Sequence, residues 1–255
     1  MNFKLITGFL LIGILGSIGR TNGVALMTRI QMAKTSLEEY LEQCWNDFVD
    51  LMDNGIPGLN IPTFDPWFSN DSFPFRMQDS DIVLRADVNA TNVTSLGFSS
   101  VEIPAVYDNG NGHFNISLTL SDLKINGLYS VVGSHHYFYP IVGNGPFDMM
   151  MMDVYSSGTA TLMYNGTVYS LTKLELTPLL YGSATAEFFS LSISGTDSTS
   201  ATYTQIVNLM TELLWFQVEE ELRLQLSVSI TEYLNNQLLD FKPSSSSVPL
   251  QKQKS

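Results

Sequence analysis

Apolar residues recur along the chain with two different periods, and each period predicts a different kind of element. In the first third of the chain, five apolar residues follow one another at spacings of three and four: Leu37, Leu41, Cys44, Phe48 and Leu51. That spacing is typical of one face of an amphipathic helix. We expect a helix over residues 24–53 that ends at Asn54-Gly55, where a left-handed cap is favoured.

From about residue 80 to residue 195 the period changes to two, which indicates β-strands. Clear alternation runs from Ile82 to Val88 and from Phe114 to Leu120, and the parity changes between Leu120 and Leu123. A bulge or bend near Ser121-Asp122 would account for that change. Asn165-Gly166 separates two alternating runs and predicts a hairpin, so we expect a meander of long antiparallel strands.

The segment from Tyr203 to Phe241 fits both periods, because "LRLQLSVSI" alternates while apolar residues also recur every fourth position. Length favours a helix, since a strand rarely exceeds about ten residues. A helix of this length spans about 57 Å at ~1.5 Å per residue, more than a sphere of this mass would enclose. The domain should therefore be elongated, or the helix should break. A long helix that is apolar on more than one face needs covering over much of its circumference. We expect an α+β fold, an elongated single domain in which a highly curved antiparallel sheet wraps a long C-terminal helix.

The first residues have the pattern of an export signal, in which Lys4 precedes the apolar run "LITGFLLIGILGSIG". We expect a signal peptide over residues 1–19, with cleavage as late as residue 23 as an alternative. A membrane anchor is the weaker interpretation because glycines interrupt the run. The folded domain then covers residues 24–241, and residues 242–255 form a tail expected to be disordered.

Composition and charge narrow the class of function. The net charge of −13 argues against nucleic acid and anionic membranes as partners. Cys44 is the single cysteine, so we expect a buried free thiol, with pairing to another chain as the alternative. Five N-x-[ST] sequons support a secreted glycoprotein: Asn70, Asn89, Asn92, Asn115 and Asn165.

Motifs for catalysis or metal binding are not found in the sequence. There is no nucleophile elbow, P-loop or H-E-x-x-H motif, and adjacent His135 and His136 would point to opposite faces of a strand. We expect neither an enzyme nor a metal or cofactor site. The run "FDMMMMDVY" instead offers soft apolar side chains, which suit either ordinary core packing or the lining of a site for a flexible apolar ligand.

Two further motifs carry a family resemblance. The stretch "GIPGLNIPTFDPW" is similar to the Gly-Ile-Pro … Asp-Pro signature of the insect haemolymph juvenile-hormone-binding and takeout proteins. "LKINGLYSVVG" and "YPIVGNGPFDMMMMDV" resemble a second run of that family, and the likeness covers roughly residues 30–240. The resemblance implies the tubular lipid-binding fold and carriage of a small hydrophobic ligand, such as a terpenoid or a fatty acid, in an internal tunnel. It implies no enzyme activity.

The chain departs from the family pattern at one point. Members usually carry an N-terminal disulfide whose second cysteine lies in "E-C-L", where this chain has Glu39-Tyr40-Leu41 and places Cys44 one turn later. The resemblance therefore implies binding of an apolar ligand in general rather than of juvenile hormone itself.

We expect the tunnel to be lined by apolar and aromatic side chains from the helices, the connector and the strands: Leu41, Phe48, Ile61, Phe64, Trp67, Tyr129, Tyr137, Met149, Met151, Leu213 and Phe216. Tyr129 and Tyr137 are the candidate hydrogen-bond donors. Ile61, Phe64 and Trp67 would close one end. The alternative function is a secreted protein with a filled pocket that acts through a protein partner, and an ester hydrolase is the weakest alternative.

Overall fold

The computed structural model describes residues 36–108 and 112–241, with only the backbone described for residues 103–108. Residues Glu38–Phe241 form one compact unit. The predicted signal peptide, the start of the first predicted helix and the predicted tail lie outside the described residues. The helices are α1 (Leu37–Asp50) and α2 (Ala201–Leu238), and short 3-10 helices cover Pro57–Leu59 and Phe98–Ser100.

Between the two helices the described chain forms strands, as the period-two pattern predicts. Their bounds are β1 (Trp67–Ser69), β2 (Phe73–Asp79), β3 (Leu84–Leu96), β4 (Glu102–Asp108), β5 (His113–His135), β6 (Tyr139–Tyr164), β7 (Tyr169–Leu176), β8 (Ser183–Phe188) and β9 (Ser192–Ile193). They form an antiparallel sheet in the order β1-β3-β5-β6-β7, with β2 beside β3, β4 beside β5, and β8 and β9 beside β6. The predicted meander and the hairpin at Asn165-Gly166 are confirmed.

The two longest strands change their buried parity at the same place. In β5 burial passes from Leu120 to Leu123, and in the facing strand β6 it passes from Met151 to Val154. Asp153 has a positive φ of 53° in this bend. Because both strands shift together, their pairing continues across the bend and one face of the sheet stays apolar. The bend predicted near Ser121-Asp122 is confirmed.

Helix α2 runs without a break for 38 residues, and Ser200 caps its start by accepting a hydrogen bond from the Tyr203 backbone N–H. Its buried apolar side chains recur at every fourth position: Ile206, Met210, Leu214, Val218, Leu222, Leu226, Ile230, Leu234 and Leu238. Four residues advance about 40° beyond a full turn, so this stripe rotates by roughly 320° along the helix. Only a curved, twisted sheet can follow such a stripe, which is why the fourfold spacing and this fold agree.

One face of α2 remains exposed along its length, and this face includes Phe216, Leu224 and Val228. The sheet is therefore curved around α2 but not closed. Side chains of α2 reach elements on both edges, where Gln205 bonds to Asp79 of β2 and Asn235 bonds to Leu171 of β7. The Asn235 amide accepts from the Leu171 N–H and donates to the Leu171 carbonyl, as a neighbouring strand would do. The predicted α+β fold with a long helix in a curved sheet is confirmed.

Candidate ligand site

The proline-rich connector after α1 packs its apolar side chains inside the fold. Phe64 and Trp67 are fully buried and Ile61 is nearly so. The backbone N–H groups of Phe64 and Asp65 both donate to the Met52 carbonyl, at 2.8 and 3.3 Å. These bonds fix the connector to the residues that follow α1, so the apolar side chains of an extended segment can enter the core without unpaired backbone groups.

Asp65 of the connector has a structural role. Its carboxylate accepts hydrogen bonds from the backbone N–H groups of Gly97 (3.0 Å) and Ser99 (2.9 Å) and from the Ser99 hydroxyl. The carboxylate thus ties the connector to the short 3-10 helix Phe98–Ser100. Its oxygen atoms are committed to these donors, and the group is not arranged for proton transfer.

The middle of α2, residues 215–225, is fixed to the sheet by polar contacts, and we refer to it as the anchored middle. On the β7 side, the Glu219 carboxylate accepts from the Leu179 backbone N–H (3.0 Å) and from Arg223 Nε (2.8 Å). Trp215 Nε1 donates to the Leu179 carbonyl at 3.2 Å. On the opposite side, Trp67 Nε1 donates to Gln225 Oε1 at 2.9 Å. Both edges of the sheet are therefore pinned to the same part of the helix.

Helix α1 covers the C-terminal end of α2, and aromatic rings contribute to the contacts there. Phe48 lies 5.2 Å from Tyr233 and 6.5 Å from Phe64 between ring centroids, and Tyr40 lies 4.7 Å from Phe241. The Tyr40 hydroxyl donates to the Gln237 carbonyl at 2.8 Å, near the end of α2.

Beneath α1 lies a small, partly enclosed pocket whose described wall is entirely apolar or aromatic, and we call it the α1 pocket. It is formed by α1, the last turns of α2 and the ends of β5, β6 and β7: Leu41, Trp45, Phe114, Ile116, Ala160, Leu162, Leu171, Leu234 and Leu238. Its volume is about 20 Å³. Sites for small molecules measure roughly 300–1,000 Å³. The pocket must therefore widen before it can admit a ligand.

The predicted lining residues occupy several different places. Leu41 lies in the wall of the α1 pocket. Leu213 is half-buried. Six others are buried elsewhere in the core: Phe48, Ile61, Phe64, Trp67, Met149 and Met151. Tyr129 is also buried, but its hydroxyl already donates to the Phe189 carbonyl at 2.8 Å. A Cβ atom at Gly143 would lie 2.6 Å from the Tyr129 hydroxyl oxygen, so a larger residue there would displace the Tyr129 side chain.

Two of the predicted residues face solvent. Tyr137 is 78% exposed because it lies in the turn between β5 and β6, where it adopts a φ of 71°. Phe216 is 58% exposed because it lies on the face of α2 opposite the buried stripe. Neither residue is in a position to line an interior site, and Tyr137 is not an interior hydrogen-bond donor.

Sequence reasoning missed most of the wall of the α1 pocket, including Trp45. Trp45 follows Leu41 by four residues on the predicted helix, so its place on the buried face could have been read from the sequence. Trp45 is only 2% exposed, and its indole N–H has no acceptor among the residues that the structure describes. The convergence of α1 with three strand ends could not have been read from local spacing.

Cys44 lies on the buried face of α1, and burial raises the pKa of its thiol to about 12. A buried, protonated thiol is a poor candidate for a disulfide with another chain. The sequons lie at or near the surface. Asn70, Asn92 and Asn165 are exposed, whereas Asn89 is half-buried and accepts a hydrogen bond from the Ser72 hydroxyl at 2.6 Å. Asn115 is exposed as well.

By its fold the chain is an α+β protein in which an open, curved antiparallel sheet holds one long helix. A pocket of apolar residues lies at one end of that helix. The chain belongs to the haemolymph juvenile hormone binding protein (JHBP) family, whose model matches residues 12–243.

Among solved structures, the chain is similar to Takeout 1 of Epiphyas postvittana, with 14% identity and a TM-score of 0.48 over 82% of this chain and 92% of that one. It is also similar to a lipopolysaccharide binding protein, with 12% identity and a TM-score of 0.40 over 80% of this chain and 38% of that one. A comparison with curated proteins gives no match.

Within residues 36–108 and 112–241, no helix has both the length and the hydropathy of a membrane-spanning segment. The same part of the chain contains no cluster of three or more His, Cys, Asp or Glu residues that could bind a metal ion.

Proposed function

We propose that the chain is a secreted carrier that binds a small hydrophobic ligand, such as a terpenoid, a fatty acid or a related lipid, in the α1 pocket. The observation that carries the proposal is the apolar wall formed where α1 covers the end of α2. The description of the family as one of hormone-binding proteins supports the same class of function. Apolar pockets bind chiefly through the hydrophobic effect, and no catalytic group is needed.

Binding requires that α1 move away from α2, because about 20 Å³ cannot accommodate a lipid chain. Leu41 and Trp45 of α1 form one side of the pocket, so displacement of this helix would enlarge it. Covering about 350 Å² of ligand surface would contribute roughly 9 kcal/mol at ~25 cal/mol per Å². The free-energy cost of association and of moving α1 would offset several kcal/mol of this gain. The resulting affinity lies in the micromolar range or is somewhat tighter.

Secretion is the second part of the proposal. It is supported by the export-signal pattern of the first 19 residues and by the five sequons, at which we propose N-linked glycans. The family description places its members in haemolymph, an extracellular fluid. Expression of the full-length sequence in a eukaryotic secretory host, followed by intact-mass analysis of the medium with and without glycosidase, tests this part directly.

Ligand binding is tested by gentle purification of the secreted protein, solvent extraction and mass spectrometry of the extract. We expect a co-purifying hydrophobic compound in stoichiometric amount. In Ala160→Leu the added side chain fills the pocket, and we expect at least a tenfold loss of the compound. Ala186→Leu makes the same change on β8, outside the pocket wall, and should retain it. A folded wild-type protein that carries and takes up no lipid would contradict the proposal.

A second function, interaction with a protein partner, is favoured by one observation besides the small pocket. The end of the β5–β6 hairpin exposes Val132, Tyr137 and Phe138, at 69%, 78% and 74%. Exposed apolar groups of this kind often mark an interaction surface. A protein without lipid, whose complex with a purified partner is abolished by the double substitution Tyr137→Ser and Phe138→Ser, would support this function over the first.

A further inference from the structure

The outer face of the sheet carries an open groove where β5, β6 and β7 run side by side, and we call it the sequon groove. Its volume is about 470 Å³, which lies within the range of sites for small molecules. Its polar lining residues are exposed or half-buried: Asn115, Ser117, Ser157, Thr159, Glu175 and Thr177. Asn115 is the asparagine of a sequon, so a predicted attachment point for an N-linked glycan lies in the wall of the groove itself.

Strand pairing arranges these six residues in two rows across the sheet. The rows are Asn115, Thr159 and Glu175, and, two residues away on each strand, Ser117, Ser157 and Thr177. Two residues of a strand cover about 7 Å, so the rows are direct neighbours. The Ser157 and Thr177 hydroxyl oxygens are 3.3 Å apart. The surface beside the sequon therefore offers four hydroxyl groups and one carboxylate as hydrogen-bond partners.

A second open groove, of about 370 Å³, begins at the next row. In that row Thr119 is paired with Tyr155, and both residues line the second groove. Tyr155 is 48% exposed although it is aromatic. Glu102 and Asp153 add carboxylates to the same lining. An exposed aromatic ring flanked by carboxylates and a hydroxyl thus follows the sequon groove along β5 and β6.

These groups match the surface of a neutral sugar. A pyranose ring has an apolar face of C–H groups that packs on an aromatic ring, and a rim of hydroxyl groups that donate to carboxylates. An N-acetylated sugar adds an amide group, which can bond to the serine and threonine hydroxyls. The carboxylates of the two grooves and the net charge of −13 disfavour an anionic sugar.

We propose that the N-linked glycan on Asn115 lies in the sequon groove and continues along β5 and β6, where one of its sugar rings packs on Tyr155. Attachment at Asn115 makes these contacts intramolecular, so weak individual contacts on an exposed surface suffice to hold the glycan. The inference rests on the secretion part of the proposed function, because N-linked glycans are added to secreted chains. It assigns a structural role to one of the five sequons.

Asn165 is a matched sequon asparagine that lines neither groove. It is exposed in the turn between β6 and β7. Its side-chain oxygen accepts hydrogen bonds from the backbone N–H groups of Thr167 and Val168, both at 3.0 Å. We expect a glycan at this turn to extend into solvent, which makes Asn165 the internal control.

The first test is hydroxyl-radical footprinting of the protein secreted from a eukaryotic host, which measures how fast each tyrosine is oxidised. In Asn115→Gln we expect Tyr155 to be oxidised roughly threefold faster or more than in the wild type, since no sugar shields its ring. Oxidation of the exposed Tyr137 should be equal in both proteins. Asn165→Gln should leave Tyr155 unchanged. Ser117→Ala removes the same sequon as Asn115→Gln and serves as the second variant.

The reciprocal test follows release of each glycan from the folded protein by a glycosidase, with the sites quantified by peptide mass spectrometry. We expect slower release at Asn115 than at Asn165. Tyr155→Ser should accelerate release at Asn115 roughly threefold or more and leave Asn165 unchanged. Tyr137→Ser, on the exposed turn, is the control and should alter neither rate. In the unfolded protein the two sites should be released at similar rates.

The outcomes separate this inference from the function on which it rests. If Asn115 carries a glycan but Tyr155 is oxidised equally with and without it, the inference is wrong and secretion stands. An unoccupied Asn115 beside an occupied Asn165 has the same meaning. Protection of Tyr155 in the wild type by added N,N′-diacetylchitobiose would show that the groove receives a saccharide from solution, which also overturns the inference. A chain that the host retains without glycans would contradict both proposals.

Discussion

The anchored middle of α2 and its C-terminal end beneath α1 each pack a tryptophan against leucines, yet they are built differently. In the middle, the N–H groups of Trp67 and Trp215 reach protein acceptors, and a buried carboxylate binds a backbone N–H of the β7–β8 loop. At the α1 end, Trp45 has no described acceptor, and a small void remains between apolar side chains. Under the proposed function, the difference separates a part of the helix that holds the fold from the part that would receive the ligand.

The two regions also differ in how easily they could move to admit a ligand. Polar contacts in the middle are specific in geometry and expensive to break when buried. The described contacts of α1 with the end of α2 are one ring pair, Phe48 with Tyr233, the Tyr40 hydrogen bond to Gln237, and apolar side chains around the α1 pocket. Apolar contacts are not directional, so most of this interface can repack at lower cost. We therefore expect α1 to yield first when a ligand enters, with the sheet and α2 unchanged.

The largest effect should come from breaking the anchored middle. In Glu219→Ala the Leu179 N–H and the Arg223 guanidinium lose their partner, and Glu219 is almost fully buried. We expect the free energy of unfolding to fall by about 3 kcal/mol, because an uncompensated buried group remains. Urea denaturation measures this. The neighbouring exposed Glu220→Ala is the control and should change stability by less than about 0.5 kcal/mol. Equal effects of the two would contradict the anchoring role.

Alkaline pH should act on the α1 end. Burial raises the pKa of the Cys44 thiol to about 12, and burial also raises the pKa of the Tyr40 and Tyr233 phenols above the usual value. The unfolded chain releases these protons first, from about pH 9 upward for the thiol. The stabilising contribution is therefore complete below pH 9 and is lost as pH rises toward 12.

Cys44→Ala provides the measurement of that contribution. Between pH 9 and 11 we expect the free energy of unfolding of the variant to decline less steeply than that of the wild type, by at most about 1.4 kcal/mol per pH unit. The two proteins should show parallel curves between pH 6 and 8. Parallel curves over the whole range would show that the Cys44 thiol is not shielded from water.

A smaller effect is expected from loosening α1 alone. Tyr40→Phe removes the hydrogen bond to the Gln237 carbonyl and should lower the free energy of unfolding by about 1 kcal/mol. The rate at which the protein takes up an apolar fluorescent dye should rise, since α1 is held less firmly. Tyr137→Phe, on the exposed turn, is the matched control and should alter neither quantity. Slower uptake in Tyr40→Phe would contradict opening by movement of α1.

Sequence patterns predict the scaffold well because the scaffold depends on local periodicity. The fourfold spacing from Ile206 to Leu238 predicts both the helix and a partner that curves around it, and the parity change after Leu120 locates a bend that two strands share. The open side of the sheet is harder to foresee. Phe216 has the chemistry of a core residue and faces solvent only because the sheet does not close over it.

The pocket is not predictable in the same way. It joins Leu41 and Trp45 to residues about 70 to 200 positions later, and such neighbours are set by strand register and by the angle at which α1 crosses α2. Motif residues such as Tyr129 were expected to serve as ligand donors, but the fold commits the Tyr129 hydroxyl to the Phe189 carbonyl. The residue type alone does not show which hydrogen-bond donors already have an acceptor within the protein.

Photo-crosslinking tests most directly whether the α1 end receives the ligand. A methyl ester of a fatty acid with a diazirine on its chain would be bound to the secreted protein, irradiated, and located by peptide mass spectrometry. We predict adducts on α1 and on the last turns of α2, near Leu41, Trp45, Leu234 and Leu238, which unlabelled ester suppresses. Suppressible adducts confined to the anchored middle or to the β5–β6 hairpin, or no suppressible adducts at all, would contradict the account.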